Sequence, residues 1–177
     1  MQGTDWHLHN NTGQGLYLNR ATVVINGMEL NDNGQSGAHV LDARYVTFEN
    51  LSAEGNGGDP LVNTEASHQA GLYYEQSNDI ESASGDVRCR SCIVSGSTGA
   101  GILAVDSVDL WLEDITLFDN NPATSPLEVD NSNPWPGGSQ GRMHLLGANI
   151  TSESPNIPAV LFKRMAGNVD GLTMLGN

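Results

Sequence analysis

Positive charge is scarce in this chain: 177 residues carry seven Lys+Arg against 21 Asp+Glu, a formal net charge of −14, and Lys163 is the sole lysine. Such a balance repels polyanions, which excludes nucleic acid and anionic membrane surfaces as partners and suits cations and neutral or basic ligands. Aromatics make up only 6%, and no apolar run approaches the ~18 residues that span a bilayer. The start, MQGTDWHLHN, has neither the basic n-region nor the apolar h-region of a secretory signal. A domain cut from a longer precursor would look the same, and an extracellular or cell-surface location is then expected. Two cysteines in CRSC say little about redox compartment. What is plentiful is glycine, 21 residues, together with Asn, Asp, Ser and Thr, a mixture that favours many short strands and turns within one domain, residues 1–177.

The decisive feature is an internal repeat. The segment VTFENLSAEGN aligns with VVINGMELNDN, VRCRSCIVSGS, LWLEDITLFDN, MHLLGANITSE and GNVDGLTMLGN, with apolar residues at the first, third, sixth and eighth places. The columns read Val23, Val46, Val87, Leu110, Met143, Gly167; then Ile25, Phe48, Cys89, Leu112, Leu145, Val169; then Met28, Leu51, Cys92, Ile115, Ala148, Leu172; and Leu30, Ala53, Val94, Leu117, Ile150, Met174. Residues two apart on a strand share a face, so the three-residue jump between the third and sixth places marks a corner. The second corner residue is Gly27, Asn50, Ser91, Asp114, Gly147 or Gly171, types that tolerate a left-handed backbone. A further strand precedes each block (GLYLN, HVLDA, GLYYE, ILAVD, PLEVD, AVLFK). Three strands and three turns in roughly 22–23 residues predict an all-β fold, a right-handed single-stranded parallel β-helix of about six coils. Residues 1–14 form a partial first coil. The cysteines fall in core columns, so two buried, reduced thiols are expected.

This coil shape, with its tight two-residue turn and variable turns around the first strand, resembles the pectate-lyase-like (pectin lyase-like) superfamily. The resemblance covers about Gly15 to Asn177. It implies the fold and, as substrate class, polysaccharide, with a lyase or glycoside hydrolase as the activity of an enzymatic member. The Asn-Thr-Asp, paired Asp-Asp, Gly-His-Gly and Arg-Ile-Lys motifs of polygalacturonase-like members are absent, as is the Asp-Pro-His-Asp of alginate epimerases, so no catalytic residue carries over.

Insertions at 57–70 and 76–86 in the third coil and at 130–141 in the fifth flank the first strand, making its outer surface the floor of a groove. Its outward residues are read as two columns: Tyr17, Val40, Tyr73, Ala104, Glu128, Leu161, and Asn19, Asp42, Glu75, Asp106, Asp130, Lys163. Stacked carboxylates repel, and three readings of the second column stand together: a Ca²⁺ site on Asp42, Asp106 and Asp130; acid/base chemistry by Asp106, Asp130 and Glu75; or solvated turn residues. Tyr73, Glu128, Arg142, Lys163, Trp135 and His68 are the candidate substrate contacts, and in a Ca²⁺-assisted lyase Arg142 or Lys163 is the base. On the middle strands Thr47, Arg88, Trp111 and His144 form a row in which a cation–π contact of Arg88 on Trp111 outweighs a sugar platform. Among five histidines only His7-x-His9 has metal-ligand spacing. No polar cap is visible at either end, which predicts a homo-oligomer through the coil ends. Carbohydrate binding or processing is the leading function, beside a structural or passenger module and a self-associating fragment.

Overall fold

The computed structural model describes residues 6–58, 69–76, 86–106, 109–130, 142–164 and 166–176. After β1 (Trp6–His9) the chain winds through six coils as a right-handed parallel β-helix. The first strands of the coils are β2 (Leu16–Asn19), β4 (Ala38–Leu41), β6 (Leu72–Glu75), β9 (Ile102–Val105), β12 (Leu127–Asp130) and β15 (Val160–Lys163); they stack as one parallel six-stranded sheet. The other two sides of the coils make an eleven-stranded sheet. In it β3 (Thr22–Asn31) and β5 (Tyr45–Glu54) run unbroken round the corner. Later coils split there into β7 (Asp86–Arg90) and β8 (Ile93–Ser95), β10 (Asp109–Glu113) and β11 (Thr116–Phe118), β13 (Arg142–Leu146) and β14 (Asn149–Ser152), and β16 (Ala166–Asp170) and β17 (Thr173–Gly176). β1 pairs with the second half of β3, Trp6 opposite Met28, and so is the last strand of an incomplete coil.

Each corner turns on the residue the repeat singles out. Gly27, Asn50, Ser91, Asp114, Gly147 and Gly171 all have φ between 52° and 69°, a left-handed conformation that glycine adopts freely and Asn or Asp adopts at modest cost. The inward columns are buried through the middle coils: Val46, Phe48, Leu51, Val87, Leu110, Leu112, Ile115, Met143 and Leu145 belong to one continuous apolar core. In the last coil the same columns open to solvent, Val169 at 48% and Met174 at 58% exposure.

One expectation is overturned. Cys89 and Cys92 are buried in the predicted columns, Cys89 in register between Phe48 and Leu112, but they form a disulfide, Cα to Cα 6.0 Å. The cause is local. Left-handed Ser91 (φ 53°) folds the chain so that the inward side chains on either side of the corner converge inside the core, at a separation a disulfide accepts.

The turns that close the first, second and fourth coils hold buried asparagines that bond from coil to coil. The Asn33 backbone N–H (3.1 Å) and Nδ2 (2.9 Å) both donate to Asn56 Oδ1, Asn56 Nδ2 donates to the Leu30 carbonyl (2.7 Å), and Asn11 Nδ2 donates to Asn33 Oδ1 (2.8 Å). Asn120 repeats the pattern, accepting from the Ser97 N–H (3.2 Å) and donating to the Val94 carbonyl (3.2 Å). A glycine follows a few residues later, packed against this ladder. A Cβ on Gly37 would lie 2.9 Å from Asn56 Nδ2 and 2.8 Å from the Gly71 carbonyl oxygen, and one on Gly101 would lie 2.8 Å from Asn120 Nδ2. Those positions have no room for a side chain.

Two substitutions should move stability in opposite directions. Asn56→Ala strips partners from the Asn33 N–H and the Leu30 carbonyl, and each orphaned buried group costs about 1–3 kcal/mol; chemical denaturation should show a loss of about 3 kcal/mol. Tyr74 is fully buried with its hydroxyl unpartnered among the described residues, and burial drives its pKa far upward. Tyr74→Phe should therefore raise stability, by roughly 1 kcal/mol.

Candidate functional site on the six-stranded sheet

Strand register redraws the outer face of the six-stranded sheet. Tyr17, His39, Tyr73, Leu103, Glu128 and Leu161 form one row, and Asn19, Leu41, Glu75, Val105, Asp130 and Lys163 the next. The second and fourth coils are shifted by one residue from the sequence reading, so Val40 and Ala104 point into the core and are buried. Asp42 and Asp106 leave the column altogether. Each sits just past its strand in a left-handed turn, φ 53° and 57°, and Asp42 is buried 3.8 Å from Arg20. The expected ladder of four carboxylates is thus reduced to Glu75 and Asp130 with Val105 between them, and Asp42, Asp106 and Asp130 do not share a column. Like charges at every rung would repel; the alternation with Leu41 and Val105 avoids that. At ~4.8 Å per coil, Glu75 and Asp130 stand roughly 9.6 Å apart at the backbone, outside the spacing of a retaining carboxylate pair.

Two polar clusters remain on this face. In the first, the Gln14 side-chain amide nitrogen lies 2.7 Å from His39 Nδ1 and Tyr73 Oη donates to Glu75 Oε2 (2.9 Å). With Gln14 as donor, Nδ1 accepts and the neutral ring carries its proton on Nε2, which faces Glu75 Oε2 at 3.6 Å. The His39 ring sits edge-on to Tyr17, centroids 5.2 Å apart, and tilted on Tyr73 at 4.7 Å. His39 and Tyr73 are buried although they point outward, and Ala70, Tyr73, Ala100 and Leu103 form a small apolar cluster outside the main core. Tyr17, at 49% exposure, is the open end of the aromatic row. In the second cluster Lys163 Nζ donates to Asp130 Oδ2 (2.8 Å) and Glu128 Oε1 (3.0 Å).

Of the predicted contacts, Tyr73 joins Glu75, and Lys163 joins Glu128 and Asp130. Arg142 does not join them. It opens β13 on the other sheet, where its backbone N–H donates to Asp109 Oδ1 (2.9 Å). His68 and Trp135 lie outside the described residues, as does most of each insertion. His39 and Gln14 are the site residues that sequence reasoning missed. The signal for His39 is the glycine directly before the first strand of the first four coils (Gly15, Gly37, Gly71, Gly101), which brings His39 into the outward row.

The outer face of the eleven-stranded sheet carries a second groove, of about 320 Å³, lined by Tyr45, Thr47, Glu49, Arg88, Trp111 and Glu113 among others. Asp86 grips Arg88 through two hydrogen bonds, 3.1 and 2.8 Å, and this pairing raises the guanidinium pKa. Arg88 lies 5.2 Å from the Trp111 ring centroid, and His144 stacks at 3.7 Å. Arg88 from one neighbouring coil and His144 from the other thus cover the indole, the first by the expected cation–π contact, whereas a sugar-stacking ring needs one face open.

A parallel solenoid of this kind is a repeat scaffold whose sites lie on its outer faces. The chain belongs to the right-handed β-helix family, whose model matches residues 3–125, more than half its length. Comparison with curated proteins and with solved structures returns no match.

Lys163 offers a pH test. Its hydrogen bonds, to Asp130 first and then to Glu128, hold its pKa above the ordinary lysine value. A raised folded-state pKa stabilises the fold fully below the unfolded value of about 10.4, and the contribution disappears as pH rises through the folded one. The ammonium is partly exposed, so the effect is a few tenths of a kcal/mol. Lys163→Met should lower the melting temperature by about 1–2 °C at neutral pH, and the difference should vanish in strongly alkaline solution.

Proposed function

We propose that this β-helix binds a neutral polysaccharide laid along the outer face of the six-stranded sheet. The observation that carries the reading is the outward row from exposed Tyr17 past the Gln14–His39–Tyr73–Glu75 cluster and across Leu103 and Val105 to Glu128, Asp130 and Lys163. It offers an aromatic edge and two hydrogen-bonding clusters separated by the apolar rung of Leu103 and Val105, a spacing suited to the alternating polar and apolar surface of a sugar chain. The net charge of −14 opposes polyuronates and favours uncharged glycans. Glu75 is tied to Tyr73, and Lys163 holds Glu128 and Asp130, so these carboxylates serve as fixed acceptors for sugar hydroxyls. Calorimetric titration with neutral and uronate oligosaccharides tests this. Neutral oligomers should bind, and Tyr17→Ala should weaken them at least about tenfold, the loss of roughly 1.4 kcal/mol of contact. Absence of binding across the neutral panel, or preference for the uronates, overturns it.

A second reading, self-association, is favoured by the last coil, where inward-facing Phe162, Val169 and Met174 are exposed along strands β15, β16 and β17, each paired on one side only. A second copy meeting this coil would bury the apolar residues and satisfy the open strand edges. Light scattering should give a dimer mass that Val169→Asp reduces to the monomer; a wild-type monomer at tens of micromolar rules this assembly out.

A further inference from the structure

The opposite end of the solenoid holds a group of side chains that the sugar-binding face does not use. His7 and His9 are two residues apart on β1, so both rings project from the same side of the strand, and they stack with centroids 5.8 Å apart. β1 lies in parallel register with β3, pairing His7 with Glu29 and His9 with Asn31. The four side chains therefore form a two-by-two square on one outer face. His7 Nδ1 and Glu29 Oε2 are 2.6 Å apart, and one ligand atom each from His7, His9 and Glu29 lie within 4.8 Å of one another.

We infer that His7, His9 and Glu29 bind a divalent transition metal of the zinc type, clamping the incomplete first coil to the next. Two imidazole nitrogens and one carboxylate oxygen make a Zn²⁺ or Co²⁺ donor set, whereas Ca²⁺ takes six to eight oxygens. Bonds of ~2.1 Å in a tetrahedron place ligand atoms roughly 3.4 Å apart, so atoms now up to 4.8 Å apart need to close by at most about 1.4 Å while the 2.6 Å His7–Glu29 contact opens by less than about 1 Å. Their side chains are exposed and have the freedom to do so. Water completes the coordination.

An ion pair between His7 and Glu29 accounts for only two of the four corners. At an exposed site it contributes little, and it leaves His9 stacked alongside without a role. Asn31 supplies a separate indication. Its Oδ1 is buried and has no hydrogen-bond partner among the described residues, and it stands in register with His9. An acceptor there suits the second ring N–H of a metal-bound imidazole, which such sites almost always engage. The excess of acidic residues adds a long-range attraction for dications.

The test uses tag-free, metal-stripped full-length protein titrated with ZnCl₂ by calorimetry and with CoCl₂ by visible absorption. The wild type should take up one Zn²⁺ per chain, show tetrahedral Co²⁺ bands that Zn²⁺ erases, and melt at a higher temperature with Zn²⁺ than without. His9→Ala and Glu29→Gln should each weaken Zn²⁺ by more than about tenfold, and Asn31→Ala by about tenfold. His144→Ala, on the far groove, should bind like wild type. All of the ligand positions are exposed, and the circular dichroism of each variant should match the wild type, which separates lost ligation from lost fold. No Zn²⁺ uptake at tenfold excess, or wild-type affinity in His9→Ala or Glu29→Gln, overturns the site.

Discussion

Everything in this molecule depends on keeping each coil at the same height and phase as its neighbours, and the buried asparagines do this at the turn that leads into the first strand. A turn inside a stack cannot reach water, so its backbone N–H and C=O groups need partners within the protein. Asn33, Asn56 and Asn120 supply them, each accepting from the coil before it and donating back to a carbonyl of that same coil. The glycines beside the ladder are its steric counterpart, since a side chain at Gly37 or Gly101 would occupy the space of the amides. With the turn fixed, the strand that follows has one register only, and the outward face of the six-stranded sheet is determined with it.

That constraint explains the chemistry of the faces. In a stack, every outward residue of an inner coil has a neighbour in register one coil up and one coil down, so adjacent members of a column must be compatible with each other. Aromatic and cationic groups satisfy this by packing: Tyr17 against His39 and His39 against Tyr73 on one sheet, Arg88 over Trp111 and Trp111 on His144 on the other. Carboxylates do not, and they are separated by an apolar residue, as with Glu75 and Asp130, or paired with a cation, as with Asp130 and Lys163.

The core and its corners were legible in the sequence because inward positions tolerate only apolar side chains and the corner tolerates only a left-handed residue. Both rules leave periodic marks, and all six corner residues adopt positive φ. The outer face was harder to read, because its residues obey no single chemical rule and their phase had to be taken from the strand itself. In HVLDA and ILAVD the outward positions are read one residue late, which exchanges His39 for Val40 and places Asp42 and Asp106 in a column they do not occupy. The glycine before the first strand of the first four coils marks the true phase, as does the eleventh place of the repeat (Asn33, Asn56, Ser97, Asn120), whose burial gives the ladder away only once the coils are stacked. The disulfide was hidden for a different reason. Core placement of Cys89 and Cys92 suited thiols equally well, and only the convergence of the two side chains across Ser91 distinguishes the two states.

Because all strand pairing is parallel and successive coils are joined through it, the hydrogen bonds of both sheets lie along the solenoid axis while the covalent chain runs across it. The molecule is therefore mechanically anisotropic. Tension along the axis acts on rows of hydrogen bonds end-on, and a terminal coil can peel away with its neighbour left intact. Tension across the axis is borne by peptide bonds. The asparagine ladder runs in the weak direction, as a buried seam that the outer sheets shield from water.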